Sequence, residues 1–119
     1  MGIESFHQKT VTLTGLSGRS YDFEVYEIGQ SFNPLAAIYV FLTPSIYRYT
    51  QTVVYVGETH DIKARLSTDL LQHHRLACAQ RNGATLVGIY RAAEMVNRDF
   101  RLAVEADIRR AYDPPCNRQ

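Results

Sequence analysis

Residues 36–57, AAIYVFLTPSIYRYTQTVVYVG, decide the fold. Segments 36–42 and 52–57 are both dense in β-branched and aromatic residues, which favour strands. A polar segment that begins with Pro44 and Ser45 separates them. Two strand-like runs joined in this way are typical of a β-hairpin, so we predict a hairpin with a long loop.

A second hairpin is predicted nearer the N-terminus. Residues 10–14 and 21–28 alternate polar and apolar side chains at period two, and glycines punctuate the turn between them. The alternation gives each strand one buried face, with a register that ends or shifts near Tyr26. We therefore expect residues 1–35 to be an N-terminal β-hairpin extension of a domain formed by residues 36–119.

Helices and a third core strand are predicted for the rest of the chain. Polar capping residues after the central hairpin precede a short helix whose inner face carries Ile62 and Leu66. A helix with partly inward leucines is predicted over 69–80, and a strand over 84–90. The last helix is predicted over 93–112, where apolar residues recur at four-residue steps: Val96, Phe100, Val104 and Ile108. The pattern indicates an α+β fold, a small antiparallel sheet flanked by helices.

Composition narrows the class of protein. The 119 residues are 45% hydrophobic and 21% charged, as in an ordinary globular domain, and no apolar run approaches the roughly 18 residues of a membrane span. The first residues lack the basic-then-apolar pattern of a signal peptide. Cys78 and Cys116 make a poor disulfide framework, so we expect reduced thiols in a cytoplasmic protein. A zinc site on these cysteines and His74 is the alternative, but four ligands would be needed. A buried thiol beside surface histidines is the favoured interpretation.

The net charge of +1 hides an asymmetry between the two parts of the chain. Residues 1–35 carry two basic and four acidic side chains, whereas residues 36–119 carry eleven basic and eight acidic ones. Ten of those eleven are arginines, which contact phosphate and carboxylate groups in a bidentate manner. The near-neutral total therefore does not exclude a nucleic-acid partner.

Chemistry-bearing residues are few but spaced in a recognisable order. The sequence has no serine elbow, Walker loop, dinucleotide-binding glycine pattern or paired CxxC. What remains is two strand tyrosines, a helix arginine and a helix carboxylate with two arginines before it: Tyr39, Tyr55, Arg65 and Glu105, with Arg98 and Arg101. Each alone has an ordinary explanation, such as core packing or a helix ion pair. The predicted elements bring them together where the sheet meets the helices.

The order and spacing of five segments resemble the GIY-YIG nuclease domain. These segments are AIYVF (37–41), VYVGET (54–59), DIKARL (61–66), VEADIRRAY (104–112) and PPCN (114–117). Ala37 stands where the family has its first glycine, and Val56 where it has isoleucine. The two tyrosines are 16 residues apart, a longer spacing than is usual in the family. The resemblance covers about residues 36–117, some two thirds of the chain.

The resemblance implies a DNA endonuclease that hydrolyses phosphodiester bonds with Mg²⁺, or Mn²⁺ as a substitute, held by Glu105. Tyr39 or Tyr55 would activate the water, a choice that stays open, and Arg65 would stabilise the phosphate. A phenol has a pKa of about 10, so a nearby cation would be required to favour the phenolate.

Other residues have supporting roles in this interpretation. Gly57 closes the second signature half, and Asn117 fixes the C-terminal segment or orients Glu105. The candidates for phosphate or nucleic-acid contact are Lys63, Arg98 and Arg101, and Arg98 and Arg101 are also candidate partners of Glu105. Some restriction enzymes of the family carry a histidine a turn after the helix arginine. Asp69 stands at that position, and whether His60, His73 or His74 replaces the histidine stays open.

Two other functions remain as alternatives. One is a catalytically silent member that binds nucleic acid or protein through the same surface, and the other is an RNase. The loop residues Tyr47, Arg48 and Tyr49 interleave aromatic and basic groups, as in nucleic-acid contacts, although an ordinary exposed loop has the same composition. A homodimer or a partner protein would supply specificity, because 119 residues leave little room for a separate recognition domain.

Overall fold

A five-stranded antiparallel sheet forms the middle layer of the fold. The computed structural model describes residues 9–44, 51–68 and 70–118. The strands are β1 (Lys9–Thr14), β2 (Ser20–Glu27), β3 (Ala37–Leu42), β4 (Val53–Thr59) and β5 (Leu86–Tyr90). Their order across the sheet is β1-β2-β5-β3-β4, and each neighbouring pair is antiparallel. The predicted α+β class is confirmed.

Both predicted hairpins form, and the N-terminal one belongs to the same sheet as the rest of the chain. Its second strand pairs with β5, from Glu24 opposite Ile89 to Glu27 opposite Leu86. The hairpin expected as an extension therefore widens the sheet, with β1 at one edge and β4 at the other. The loop residues 47–49 lie outside the described residues.

The helical segments between β4 and β5 are shorter than predicted. The first helical segment begins after Asp61, which caps it by accepting the backbone N–H of Ala64 on Oδ1 at 3.1 Å. The segment continues as a wide π-type turn, Ala64–Thr68. Instead of one helix over 69–80, a single 3₁₀ turn, Leu70–Gln72, precedes α1 (Leu76–Arg81). Leu71, expected partly inward, is 91% exposed.

The last helix begins later than predicted. A 3₁₀ turn, Ala93–Val96, comes first, and α2 spans Arg98–Tyr112. Asn97 causes the break, because its Oδ1 accepts the backbone N–H of Phe100 at 3.0 Å and so caps α2. Val96 is 80% exposed, so the apolar stripe starts one step later, at Phe100.

Helices cover both faces of the sheet. On one face, the segment between β4 and β5 buries Ile62, Leu66 and Leu76 against β3 and β4. On the other face, α2 buries Val104 and Ile108 against the sheet. The strands between them are accordingly buried on both sides, as every residue of β3 is. No helix in the described part of the chain is long and apolar enough to cross a membrane.

Cys78 and Cys116 form a disulfide, with their Cα atoms 5.9 Å apart. The expectation of reduced thiols is therefore wrong, and so is a zinc site on these two sulfurs, because both are bonded to each other. The cysteines are 38 residues apart, and only the fold of α1 and the C-terminal segment brings them together. The bond ties that segment to the helical layer that covers the tyrosine-bearing face of the sheet.

Candidate active site

Tyr39 and Tyr55 lie side by side on adjacent strands. Tyr39 on β3 is opposite Gly57 of β4, and Tyr55 is opposite Phe41. The two phenol rings have centroids 6.0 Å apart and contribute to the same core face. Tyr39 is fully buried, whereas Tyr55 is 8% exposed. The structure thus brings the two signature tyrosines together, with Tyr55 the nearer to solvent.

Gly57 makes room for the Tyr39 ring. A Cβ at position 57 would lie 2.5 Å from Tyr39 Cζ and 2.6 Å from its Oη, closer than real side-chain contacts. The absence of a side chain therefore lets the ring lie over the backbone of β4. The close approach of the ring is the physical reason for a glycine at position 57.

His73 is one of the three histidines that the sequence left open, and the structure places it against Tyr39. It is only 7% exposed, so the expectation of a surface histidine is wrong here. Its Nε2 lies 2.6 Å from Tyr39 Oη. Its Nδ1 accepts a hydrogen bond from the backbone N–H of Arg75 at 3.0 Å. In the neutral ring the proton is therefore on Nε2, which donates a hydrogen bond to Tyr39 Oη. His74 stacks on His73 with ring centroids 5.2 Å apart.

Burial controls the protonation of this cluster. Burial, followed by the charge of Arg65, lowers the pKa of His73 to about 4, so the imidazole is neutral at pH 7. Burial also raises the pKa of Tyr39 and that of Tyr55. Among the smaller effects, hydrogen bonding between the two hydroxyls raises the pKa of Tyr39 and lowers that of Tyr55.

Arg65 supplies the positive charge of the cluster. It lies half-buried in the wide turn after β4, where Asp61 caps the segment. Against the dominant effect of burial, its charge lowers the pKa of both Tyr39 and Tyr55. Turns of the π type are rare and recur at functional sites, where they direct a side chain that a regular helix would turn elsewhere.

Glu105 is a half-buried carboxylate on α2 with no hydrogen-bond donor or ion-pair partner within reach in the described part of the chain. Burial raises its pKa, the charge of Arg109 opposes that shift, and Glu58 adds to it. Its charge in turn raises the pKa of Tyr55, an effect second only to burial. An unsatisfied carboxylate beside a second acid is the kind of group that a cation stabilises.

Arg101 is committed to another contact. It is 4% exposed, and its Nε donates to Glu58 Oε1 at 2.9 Å. Its Nη1 donates to the carbonyl oxygens of Met95 at 2.7 Å and Val96 at 3.3 Å. The Arg101 guanidinium therefore holds the turn before α2 against β4. The arginine whose charge lowers the pKa of Glu105 is Arg109.

Asn117 fixes the C-terminal segment, one of the two roles expected for it. Its Nδ2 donates to the carbonyl of Val56 at 3.0 Å, and its Oδ1 accepts the N–H of the same residue at 2.8 Å. The side-chain amide thus pairs with the outer edge of β4 as another strand would. Because Tyr55 precedes Val56, this contact also steadies the strand that carries the second tyrosine.

Three expected participants lie apart from this cluster. Lys63 and Arg98 are exposed, as is His60. Asp69 lies outside the described residues. The structure therefore brings together Tyr39, Tyr55 and His73 and leaves Lys63 and Arg98 on the surface. Arg65 and Glu105 act on this group through their charges, which shift the pKa of Tyr55.

Within the described ranges, no three His, Cys, Asp or Glu side chains come together as a cation site. No protein-family model, curated protein or solved structure matches the chain.

Proposed function

We propose that the chain is a GIY-YIG-type endonuclease that hydrolyses phosphodiester bonds in DNA. The observation that carries the proposal is the contact between two phenols on adjacent strands, together with the effects that one guanidinium and one unpaired carboxylate have on the pKa of Tyr55. After burial, the charge of Glu105 raises the pKa of Tyr55, whereas hydrogen bonding with Tyr39 and the charge of Arg65 lower it.

Glu105 fits the role of a Mg²⁺ or Mn²⁺ ligand. The ion keeps several waters and takes further oxygens from phosphate, so one protein carboxylate is a workable ligand set. Glu105 is half-buried and lacks a donor partner in the described chain, and burial raises the pKa of its carboxyl group. A bound divalent cation would polarise the phosphate and stabilise developing negative charge.

Tyr55 is the better candidate for the group that activates water. It is nearer to solvent than Tyr39 and is coupled to Glu105. Burial raises the pKa of Tyr55, but hydrogen bonding from Tyr39 and the charges of Arg65 and Arg75 oppose this shift. Tyr39 is enclosed between His73 and the backbone of β4, and its side chain has no exposed surface.

The other side chains of the site would favour the phenolate of Tyr55 and neutralise the charge of the phosphate. His73 donates to Tyr39 at 2.6 Å, and hydrogen bonding with Tyr39 lowers the pKa of Tyr55, which would favour the Tyr55 phenolate. Arg65 would face the non-bridging oxygens of the phosphate, where a preorganised cation stabilises the transition state.

A substrate panel separates this proposal from its alternatives. Purified protein is incubated with supercoiled plasmid, branched DNA and RNA, in Mg²⁺ or in a chelator. Mg²⁺-dependent DNA cleavage supports the proposal. Cleavage of RNA alone would make the protein an RNase, and binding without cleavage of any substrate would make it a catalytically silent member.

The cytoplasmic location remains a proposal, and the cysteines no longer support it. Disulfides are rare in the cytosol, whereas Cys78 and Cys116 are bonded to each other. Acid quenching of cells that produce the protein, followed by thiol alkylation, would report the fraction of this pair that is reduced in its own compartment.

A further inference from the structure

A groove lined largely by arginines lies at the C-terminal end of α2. It has a volume of about 480 Å³ and is lined by Arg109, Arg110, Asp113, Pro114, Asn117 and Arg118. Asp113 ends the helix in the left-handed conformation, with φ 46°, and turns the chain so that Arg118 comes back beside the last helical turn. The groove therefore gathers three guanidinium groups from two segments against a single acid.

Two of these guanidinium groups are available to a ligand. Arg109 and Arg110 are exposed and make no hydrogen bond or ion pair within the described residues. Arg118 does have a partner, since its Nε lies 3.4 Å from Asp113 Oδ1, but both side chains are largely exposed. Such a solvated pair contributes little energy and is readily exchanged for a phosphate contact.

The groove adjoins the candidate active site at two points. Arg109 follows Glu105 by one helical turn, and its charge acts on that carboxyl group. Asn117, in the wall of the groove, holds Val56 beside Tyr55. A nucleic acid with one phosphodiester beside Tyr55 would therefore place its neighbouring phosphates in the arginine groove.

We propose that this arginine groove binds the phosphodiester backbone of the nucleic acid on one side of the bond to be cut, an inference that rests on the proposed function. Arginines in the last turn of a helix also interact favourably with its dipole. That interaction stabilises the fold but gives no affinity for nucleic acid, so the two roles are separable by experiment.

The test measures binding without cleavage. Anisotropy of fluorescein-labelled duplex DNA, branched DNA and single-stranded RNA is recorded in a chelator across a series of salt concentrations. The variants are Arg109→Gln, Arg110→Gln and the double variant. Lys9→Gln is the charge-matched control, because Lys9 is exposed at the start of β1, whereas α2 contacts the other end of that strand, where Thr14 N–H donates to Tyr112 Oη.

Each arginine substitution is expected to weaken binding about tenfold, as the loss of a charge-assisted contact does. The slope of log affinity against log salt should fall by about one for each arginine removed, and the loss should not depend on base sequence. Lys9→Gln should bind like the wild-type protein. The effect is expected on whichever of DNA and RNA the wild-type protein binds.

Two results would overturn the inference, and they are distinguishable. If the wild-type protein binds and cleaves while the double variant keeps its affinity and salt slope, the groove is not the contact surface and the nuclease proposal stands. If the wild-type protein neither binds nor cleaves any of the polymers, both proposals fail. A melting temperature for each variant, taken alongside, separates a lost contact from a lost fold.

Discussion

At the residue scale, the proposed cleavage depends on which phenol takes the proton of the attacking water. We expect Tyr55→Phe to slow cleavage by about 10²–10⁴-fold, the contribution typical of a general base. Tyr39→Phe keeps the packed ring and removes a donated hydrogen bond, so a loss of only about tenfold is expected. Single-turnover cleavage at a fixed Mg²⁺ concentration measures both.

Tyr90→Phe is the matched control for this pair. Tyr90 packs on the opposite face of the sheet, away from the candidate site, and should tolerate the change at full rate. A larger loss in Tyr39→Phe than in Tyr55→Phe would move the base to Tyr39. Full activity in both variants would exclude a phenol as the base.

The buried His73 should make the free energy of unfolding depend on pH. Burial lowers its pKa to about 4 in the folded chain, against 6.5 for the ordinary group. Between these values the unfolded chain binds a proton that the folded chain does not, so the free energy of unfolding falls as the pH drops from 6.5 toward 4. The full effect is up to about 3 kcal/mol.

Urea unfolding at several pH values tests this prediction. His73→Gln should show a shallower fall in stability across the window, whatever its stability at pH 7. His60→Gln, which alters an exposed histidine, should keep the wild-type slope. An unchanged slope in His73→Gln would show that the buried imidazole does not titrate in this way.

At the scale of the elements, strands were predictable and helix boundaries were not. The period-two pattern of segments 10–14 and 21–28 is a local property, and it matches β1 and β2 closely. The expected helix over 69–80 fails because the chain turns to bury His73 against Tyr39, 34 residues away in sequence. No local periodicity encodes such a contact.

The edge of β4 depends on Asn117. Val56 is fully buried, so Asn117→Ala would leave its backbone N–H and C=O without partners. We expect a loss of about 2–4 kcal/mol in the free energy of unfolding. Denaturant unfolding measures it, with Asn33→Ala as the control at an exposed asparagine. Equal stability of the two variants would mean that the amide pair contributes nothing to the edge.

At the scale of the whole molecule, the disulfide joins two segments that are distant in sequence. A loop of 38 residues closed by a disulfide contributes about 4 kcal/mol in the chain-entropy model. The reduced protein should therefore melt at a lower temperature than the oxidised one. Cys78→Ser/Cys116→Ser should melt like the reduced protein and should not respond to reductant. A melting temperature that is independent of reductant in the wild-type protein would contradict this.

The candidate site itself was only partly predictable. Tyr39, Tyr55, Arg65 and Glu105 were expected together from the order of motifs, and strand pairing does place the two tyrosines side by side. The partner of Arg101 was not predicted, because Glu58 lies 43 residues away on another element. Likewise, the net charge of +1 gave no sign that α2 gathers arginines at one end.

The central claim is that a cation held by Glu105 makes this chain a nuclease. The most direct measurement is relaxation of supercoiled plasmid against Mg²⁺ concentration, for the wild-type protein, Glu105→Gln and Glu94→Gln, the last an exposed control. We predict Mg²⁺-dependent nicking by the wild type and Glu94→Gln, and loss of at least about 10²-fold in Glu105→Gln. Equal Mg²⁺-dependent nicking by all three proteins, or none by the wild type, would contradict the account.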